Sequence, residues 1–119
     1  MGKIRVVKLK IVEKAGSQPR LEADPESLGA DFGDVVHWEI DPPNDQVEFA
    51  VDFGAAGRSP FIWMNKKSDL GKIHKNRILH DPNHSGAARF SYNIAAVSRK
   101  LGLIFADPDI QVPKPGHRS

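Results

Sequence analysis

The chain predicts an all-β fold, an antiparallel β-sandwich, and three observations predict it. Short segments alternate apolar and polar residues, clusters of Gly, Pro, Asp, Asn and Ser separate them, and no segment sustains a helical period. A length of 119 residues argues for one domain, placed at 1–112, with 113–119 as a flexible tail rich in proline. Such a chain buries roughly 65% of the surface its unfolded form exposes, enough for an independent core. Hydrophobic residues make up 39% and charged residues 27%, an ordinary globular balance that argues against disorder.

Residues 3–12 read as the first strand. Ile4 and Val6 fall on one face, Leu9 and Ile11 resume the apolar face after a slip at Val7-Lys8, and the slip is what a β-bulge produces. Residues 13–19, with Gly16 and Ser17, form a turn-rich connection, and 20–23 pair briefly. Asp24-Pro25-Glu26-Ser27 starts a turn, because proline fixes φ and aspartate caps it locally. Residues 34–40 give the clearest central strand: Val36, Trp38 and Ile40 face the core, and Val35, His37 and Glu39 face away from it. Pro42-Pro43-Asn44-Asp45 breaks the chain. Residues 46–53 resume the alternation through Val47, Phe49, Val51 and Phe53.

Residues 54–86 read as a long insertion, too long for a bare loop, carrying a strand at 60–64 and a helical turn near 69–74. Residues 87–97 form another strand, with Phe90, Tyr92 and Ile94 on one face. Residues 101–112 close the chain, interrupted at Ala106-Asp107-Pro108. There is no internal repeat.

Four segments resemble the cupredoxin (plastocyanin-like) family: Gly33-Asp34-Val35-Val36-His37-Trp38-Glu39-Ile40, Pro42-Pro43-Asn44-Asp45-Gln46-Val47-Glu48-Phe49, Phe90-Ser91-Tyr92-Asn93-Ile94 and Asp109-Ile110-Gln111-Val112. The resemblance covers most of 21–53 and 87–112 and leaves 54–86 unmatched. It implies a Greek-key sandwich of cupredoxin-like architecture. By its register Asn44 stands where the first copper histidine would be, Ile94 replaces the copper cysteine, and Val97 falls near the second histidine. No methionine lies beyond Met64, and there is no cysteine. A blue-copper centre needs two imidazoles, a thiolate and a weak axial donor. Type 1 copper electron transfer is therefore excluded, and no cofactor is expected.

What remains is binding chemistry. The formal net charge of +2 hides a polarised chain: residues 1–57 hold six Lys+Arg against eleven Asp+Glu, and residues 58–119 hold eleven against four. Arg58, Lys66, Lys67, Lys72, Lys75 and Arg77, near Phe61 and Trp63, are the partner-binding candidates, since cations attract phosphates and exposed aromatics stack on bases. The alternative is that the aromatics enter the core and the lysines solvate a loop. His74, His80 and His84, beside Asp81, are the metal-like cluster, although Pro82 interrupts any helix that would align the last two. Gly54-Ala55-Ala56-Gly57-Arg58-Ser59 lacks phosphate-loop spacing, leaving only a backbone nest as an anion site. His84-Ser85 and the Asp107–Asp109 pair offer no nucleophile with a positioned base.

The expectation is a non-enzymatic binding or scaffolding domain with 54–86 as its working surface. Its partner would be a protein or an anionic ligand, with no membrane partner, and homo-oligomerisation through edge strands is the open alternative. No apolar run approaches the roughly 20 residues of a membrane helix. Met1-Gly2-Lys3 leads directly into a strand, which reads as a cytoplasmic protein; a mature exported domain with an added Met-Gly would begin the same way.

Overall fold

The computed structural model describes residues 2–114. The strands are β1 (Ile4–Val12), β2 (Arg20–Asp24), β3 (Ser27–Gly29), β4 (Val35–Ile40), β5 (Glu48–Asp52), β6 (Asn65–Lys67), β7 (Lys72–Arg77), β8 (Ala88–Ser91), β9 (Asn93–Ser98), β10 (Gly102–Ala106) and β11 (Asp109–Val112). Among the described residues a short α-helix, α1, covers Pro82–Ser85, and one 3-10 turn covers Gly54–Ala56. The strands form three sheets, ordered β2-β1-β4-β7, β10-β9-β5-β6 and β3-β11-β8. The fold is all-β, as expected, but not purely antiparallel. β1 runs parallel to β4, and β11 runs parallel to β3.

The core follows the alternation read in β4 and β5. Val36, Trp38, Ile40, Phe49, Val51 and Phe53 are buried, together with Val7 and Leu9 of β1 and Ile94 and Ala96 of β9. At the centre, the Trp38 indole N–H donates to the Tyr92 hydroxyl at 3.0 Å, and both rings meet edge-on with centroids 5.8 Å apart. Burial pushes the Tyr92 hydroxyl pKa far up, so it stays a neutral partner.

Two carboxylates fasten the layers. Asp34 accepts from the backbone N–H of Lys3 and of Asp31 and from Arg5 Nε, each at 2.9 Å, which locks the start of β1 onto the start of β4. Asp109 accepts from Ser27 and from Arg89, both at 2.6 Å, and so clamps all three strands of the smallest sheet.

Several sequence expectations are corrected here. β1 pairs with β2 and β4 without a register shift, so Val7 and Leu9 face inward along a regular strand and there is no bulge at Val7-Lys8. The segment 54–86 is not an insertion outside the sandwich. Its β6 completes one sheet and its β7 another, and it buries Phe61, Ile73, Asn76 and Ile78. No strand forms at 60–64, and 69–74 holds a tight turn instead of a helical one. Leu70 (φ 53°) and Gly71 (φ 79°) both take positive φ while Asp69 and Lys72 exchange backbone hydrogen bonds, the pattern of a type I′ hairpin turn. A side chain at 71 would also meet the Asn44 carbonyl, with its Cβ 2.6 Å away. The helical turn lies at α1, where Pro82 occupies the first turn and lacks nothing it needs, and Asp81 caps it.

The strand expected at 87–97 splits in two at Tyr92, whereas 101–112 breaks at Ala106-Asp107-Pro108 as expected. The chain changes sheets at Tyr92 and again at Asp107-Pro108, where the Tyr92 N–H reaches the Pro108 carbonyl at 3.1 Å. The tail expected at 113–119 falls, beyond Lys114, outside the described residues.

Candidate functional site

The outer face of β1, β4 and β7 gathers most of the chemistry. Alternation in β4 sends Val36, Trp38 and Ile40 into the core and leaves His37 and Glu39 half-buried on the other side. β1 runs alongside in parallel register and sets Lys8 beside Glu39. β7 closes the face from the other side and sets Lys72 opposite Glu39.

The register between β4 and β7 then slips. Val36 pairs with Asn76 and Trp38 with Ile73, so His74 and Lys75 together stand opposite His37 alone. This is a β-bulge, with Lys75 at φ 65°. With Lys75 as the inserted residue, the register continued from Trp38–Ile73 sets His74 opposite His37. Their rings stack with centroids 4.1 Å apart and planes 17° from parallel.

Glu39 joins the stack to Lys8. Its Oε2 lies 2.7 Å from His74 Nε2, and its Oε1 accepts from Lys8 Nζ at 2.7 Å. The hydrogen bond from Lys8 holds the Glu39 pKa below its ordinary range, outweighing the upward push of burial, and His74 adds to the effect. The same bond raises the Lys8 pKa. Burial lowers the His37 pKa and the neighbouring His74 lowers it further, which favours a neutral imidazole. Donor atoms of His37, Glu39 and His74 lie within 4.8 Å of one another, the one such group of histidine and acidic side chains among the described residues.

Of the histidines singled out in the sequence, only His74 belongs to this group. His80 Nε2 bonds the Gly86 carbonyl at 2.8 Å and its ring packs edge-on against Phe90. His84 Nδ1 pairs with Asp81 at 2.7 Å beside α1. The three are thus spent in three separate local contacts. His117 lies outside the described residues.

The six candidate cations divide five to one. Arg58 sits apart, donating to the Arg89 carbonyl at 2.9 Å with its guanidinium 4.9 Å from the centre of the Phe90 ring. The other five line the side of the sandwich where β6 and β7 are the edge strands of two sheets. The Leu70-Gly71 turn joins those edges, and Lys66 Nζ reaches Asn76 of β7 at 3.5 Å. Lys66 also lies 5.8 Å from the Trp63 ring centre. Arg77 donates to the Gly33 carbonyl at 3.3 Å, and Lys67, Lys72 and Lys75 are exposed. Among the described residues none of the six has an acidic partner, whereas Arg5, Lys8, Lys10, Arg20 and Arg89 all do.

The aromatics expected beside these cations are mostly committed to the core. Phe61 is buried and stacks on the half-buried Trp63 at 4.9 Å, and the Trp63 N–H donates to Asn76. In the glycine segment the N–H groups of Gly54, Ala56 and Gly57 are taken by Asp52, Phe53 and Gly54 within the turn.

Sequence reasoning placed His37 and Glu39 together on the outer face but gave them no role. The missing step was the pairing of β4 with β7, which sets His74 opposite His37 and leaves no trace in alternation. No protein-family model matches the chain, and no curated protein is significantly similar to it.

Proposed function

We propose that this is a non-enzymatic binding domain of cupredoxin-like, Greek-key architecture that holds a single-stranded nucleic acid by its phosphates along the β6–β7 edge. The architecture is supported by where the resembling segments fall: Gly33–Ile40 supplies β4 and Phe90–Ile94 leads into β9, and both strands are interior to their sheets. The observation that carries the function is the row Lys66, Lys67, Lys72, Lys75 and Arg77, brought to one side by a tight turn and left without acidic partners.

With Phe61 buried and Trp63 packed on it, base stacking contributes little, so recognition is electrostatic and indifferent to sequence. Each neutralised phosphate of a single strand contributes a slope of about −0.7 to log K against log salt, so five contacts give about −3.5. Titration of a labelled oligothymidylate by fluorescence anisotropy at several salt concentrations tests this. The expected result is a slope between about −2 and −3.5 that falls by about 1.4 when Lys66 and Lys67 are both replaced by glutamine. Equal affinity of the variant, or binding that ignores salt, overturns it. The lysines would then serve as guards that stop these open edges pairing with another chain, a common use of edge lysine.

A further inference from the structure

We propose that His37, Glu39 and His74 form a binding site for a divalent transition-metal ion that prefers imidazole, such as Zn2+, Ni2+ or Cu2+. The site shares only His74 with the histidine set visible in the sequence, and it does not depend on the phosphate-binding reading above.

The donor set comes first. Two imidazole nitrogens and one carboxylate oxygen suit zinc, nickel and copper(II), and three protein ligands leave a fourth position for water. The reach is right as well. Metal–ligand bonds of 2.0–2.2 Å in a tetrahedron separate donors by about 3.4 Å. Here His74 Nε2 and Glu39 Oε2 are already 2.7 Å apart, and no pair in the group exceeds 4.8 Å. The longest separation has to close by at most about 1.4 Å, which rotation of partly exposed side chains supplies. The His74 and Glu39 side chains are 31% and 27% exposed, so the fourth position opens to solvent.

The backbone supports the same assignment. The ligands project from adjacent hydrogen-bonded strands, so their Cα positions are fixed by the sandwich. The Glu39–Lys72 and Trp38–Ile73 register sets His74 opposite His37, and the bulge follows at Lys75, which holds a left-handed conformation unusual for a residue with a side chain. Departures of this kind collect at functional sites. Lys8 completes the arrangement. It holds Glu39 Oε1 at 2.7 Å and so orients the carboxylate with Oε2 toward the histidines, the role outer partners play around metal ligands.

In the absence of a metal, His74 Nε2 and Glu39 Oε2 share a proton-mediated contact. Binding replaces that contact: the ring proton on Nε2 relocates to Nδ1 through solvent, and Nε2 and Oε2 each give a lone pair to the ion. The exposed Lys72 and Lys75 repel a second positive charge, so the affinity expected is micromolar and not tighter.

Isothermal titration of the full chain, without a histidine tag, is carried out with Zn2+ and with Ni2+, using Mg2+ as the hard-cation control. The expected result is one transition-metal ion per chain at micromolar Kd and no Mg2+ binding. Loss of even an outer partner typically weakens a site ten- to a hundredfold, so His37→Ala and His74→Ala should each weaken binding by at least about tenfold. His80→Ala and His84→Ala should leave it unchanged. Circular dichroism confirms that each variant is folded. Selective broadening of two imidazole signals by Ni2+ in the unaltered chain, both missing from the His37→Ala, His74→Ala double variant, gives a readout independent of affinity. Absence of saturable binding up to millimolar metal overturns the site. So does binding that survives His37→Ala but is lost in His84→Ala, which would place the ion at Asp81 and His84.

Discussion

The two edges of one sheet treat their charges in opposite ways. At the β2 edge, Lys10 pairs with Asp24 and Arg20 with Glu22, and one strand further in Lys8 pairs with Glu39. At the β7 edge, Lys72, Lys75 and Arg77 face solvent with no acidic partner among the described residues. Both strands end the sheet, but β2 carries one cation with two carboxylates while β7 carries three cations and no carboxylate, so edge protection alone does not account for the difference. Cross-strand pairs on the β1–β2 side neutralise their own field and carry no net attraction for a ligand. The β7 side keeps its field, and the Leu70-Gly71 turn adds the β6 lysines to it. One region spends its charge on its own strands, while the other leaves it available to a partner. Substitutions on each side should therefore separate stability from binding.

The largest effect belongs to the carboxylate that anchors the paired side. Asp34 is 3% exposed and accepts three hydrogen bonds, one from Arg5. Asp34→Ala leaves two backbone N–H groups and a guanidinium without their acceptor. Breaking a buried pair from one side costs 3–5 kcal/mol, and partial exposure of Arg5 puts the expected loss at about 3 kcal/mol by urea denaturation. Oligonucleotide affinity of the folded variant should not change. A loss below about 1 kcal/mol would show that this corner is not what joins β1 to β4.

Acid should weaken the same anchors. Burial alone would raise the Asp34 pKa, but the Asp31 and Lys3 N–H groups and Arg5 hold it below the ordinary 3.8. Burial likewise opposes the hydrogen bonds of Ser27 and Arg89 at Asp109, whose pKa is again below 3.8. Both carboxyls bind protons less readily folded than unfolded, so their stabilisation is complete above the unfolded value. It drains as pH falls through the lower folded values. Stability should be flat in these two groups from neutrality to about pH 5 and fall steeply below pH 4, and Asp34→Asn should flatten that fall. An unchanged acid limb in Asp34→Asn would remove Asp34 as a cause.

How much of this could be read from residues alone differs between the same regions. Trp38, Ile40, Phe49 and Val51 were placed correctly because a strand buried on one face writes its period into the sequence. The bulge at His74-Lys75 and the sheet changes at Tyr92 and Pro108 were not legible. Each depends on which strand lies next door, and a local period carries no such information. The segment 54–86 misled for a related reason. Its buried Phe61, Ile73, Asn76 and Ile78 follow no fixed spacing, and one of them is polar. The cations of that segment are visible as types, but their freedom from acidic partners follows from the pairing of β6 with β5 and of β7 with β4.

Next in size is the effect of neutralising the β7 edge. Lys72→Gln with Lys75→Gln removes two exposed charges that make no ion pair, and surface substitutions of this kind shift stability by no more than about 0.5 kcal/mol. The salt slope for oligothymidylate should nevertheless fall by about 1.4, two phosphates at about 0.7 each. A stability loss with an unchanged slope would reverse the contrast and make this edge the structural one.

The smallest effect tests the paired edge itself. The Lys10 ammonium lies 3.3 Å from Asp24, with side chains 44% and 65% exposed, and Arg20 meets Glu22 at 61% and 46%. Water screens both pairs, so Lys10→Ala or Arg20→Ala should cost less than about 1 kcal/mol. Their binding consequence is the sharper point. Each substitution removes a cation, as the β7 substitutions do, and a ligand that sensed only total charge would lose affinity equally from either edge. A ligand held at the β6–β7 side should ignore the β2 side almost entirely at physiological salt, where screening acts over about 8 Å. An equal drop in salt slope for Lys10→Ala and Lys72→Gln would mean that net charge, and not the unpaired edge, draws the partner.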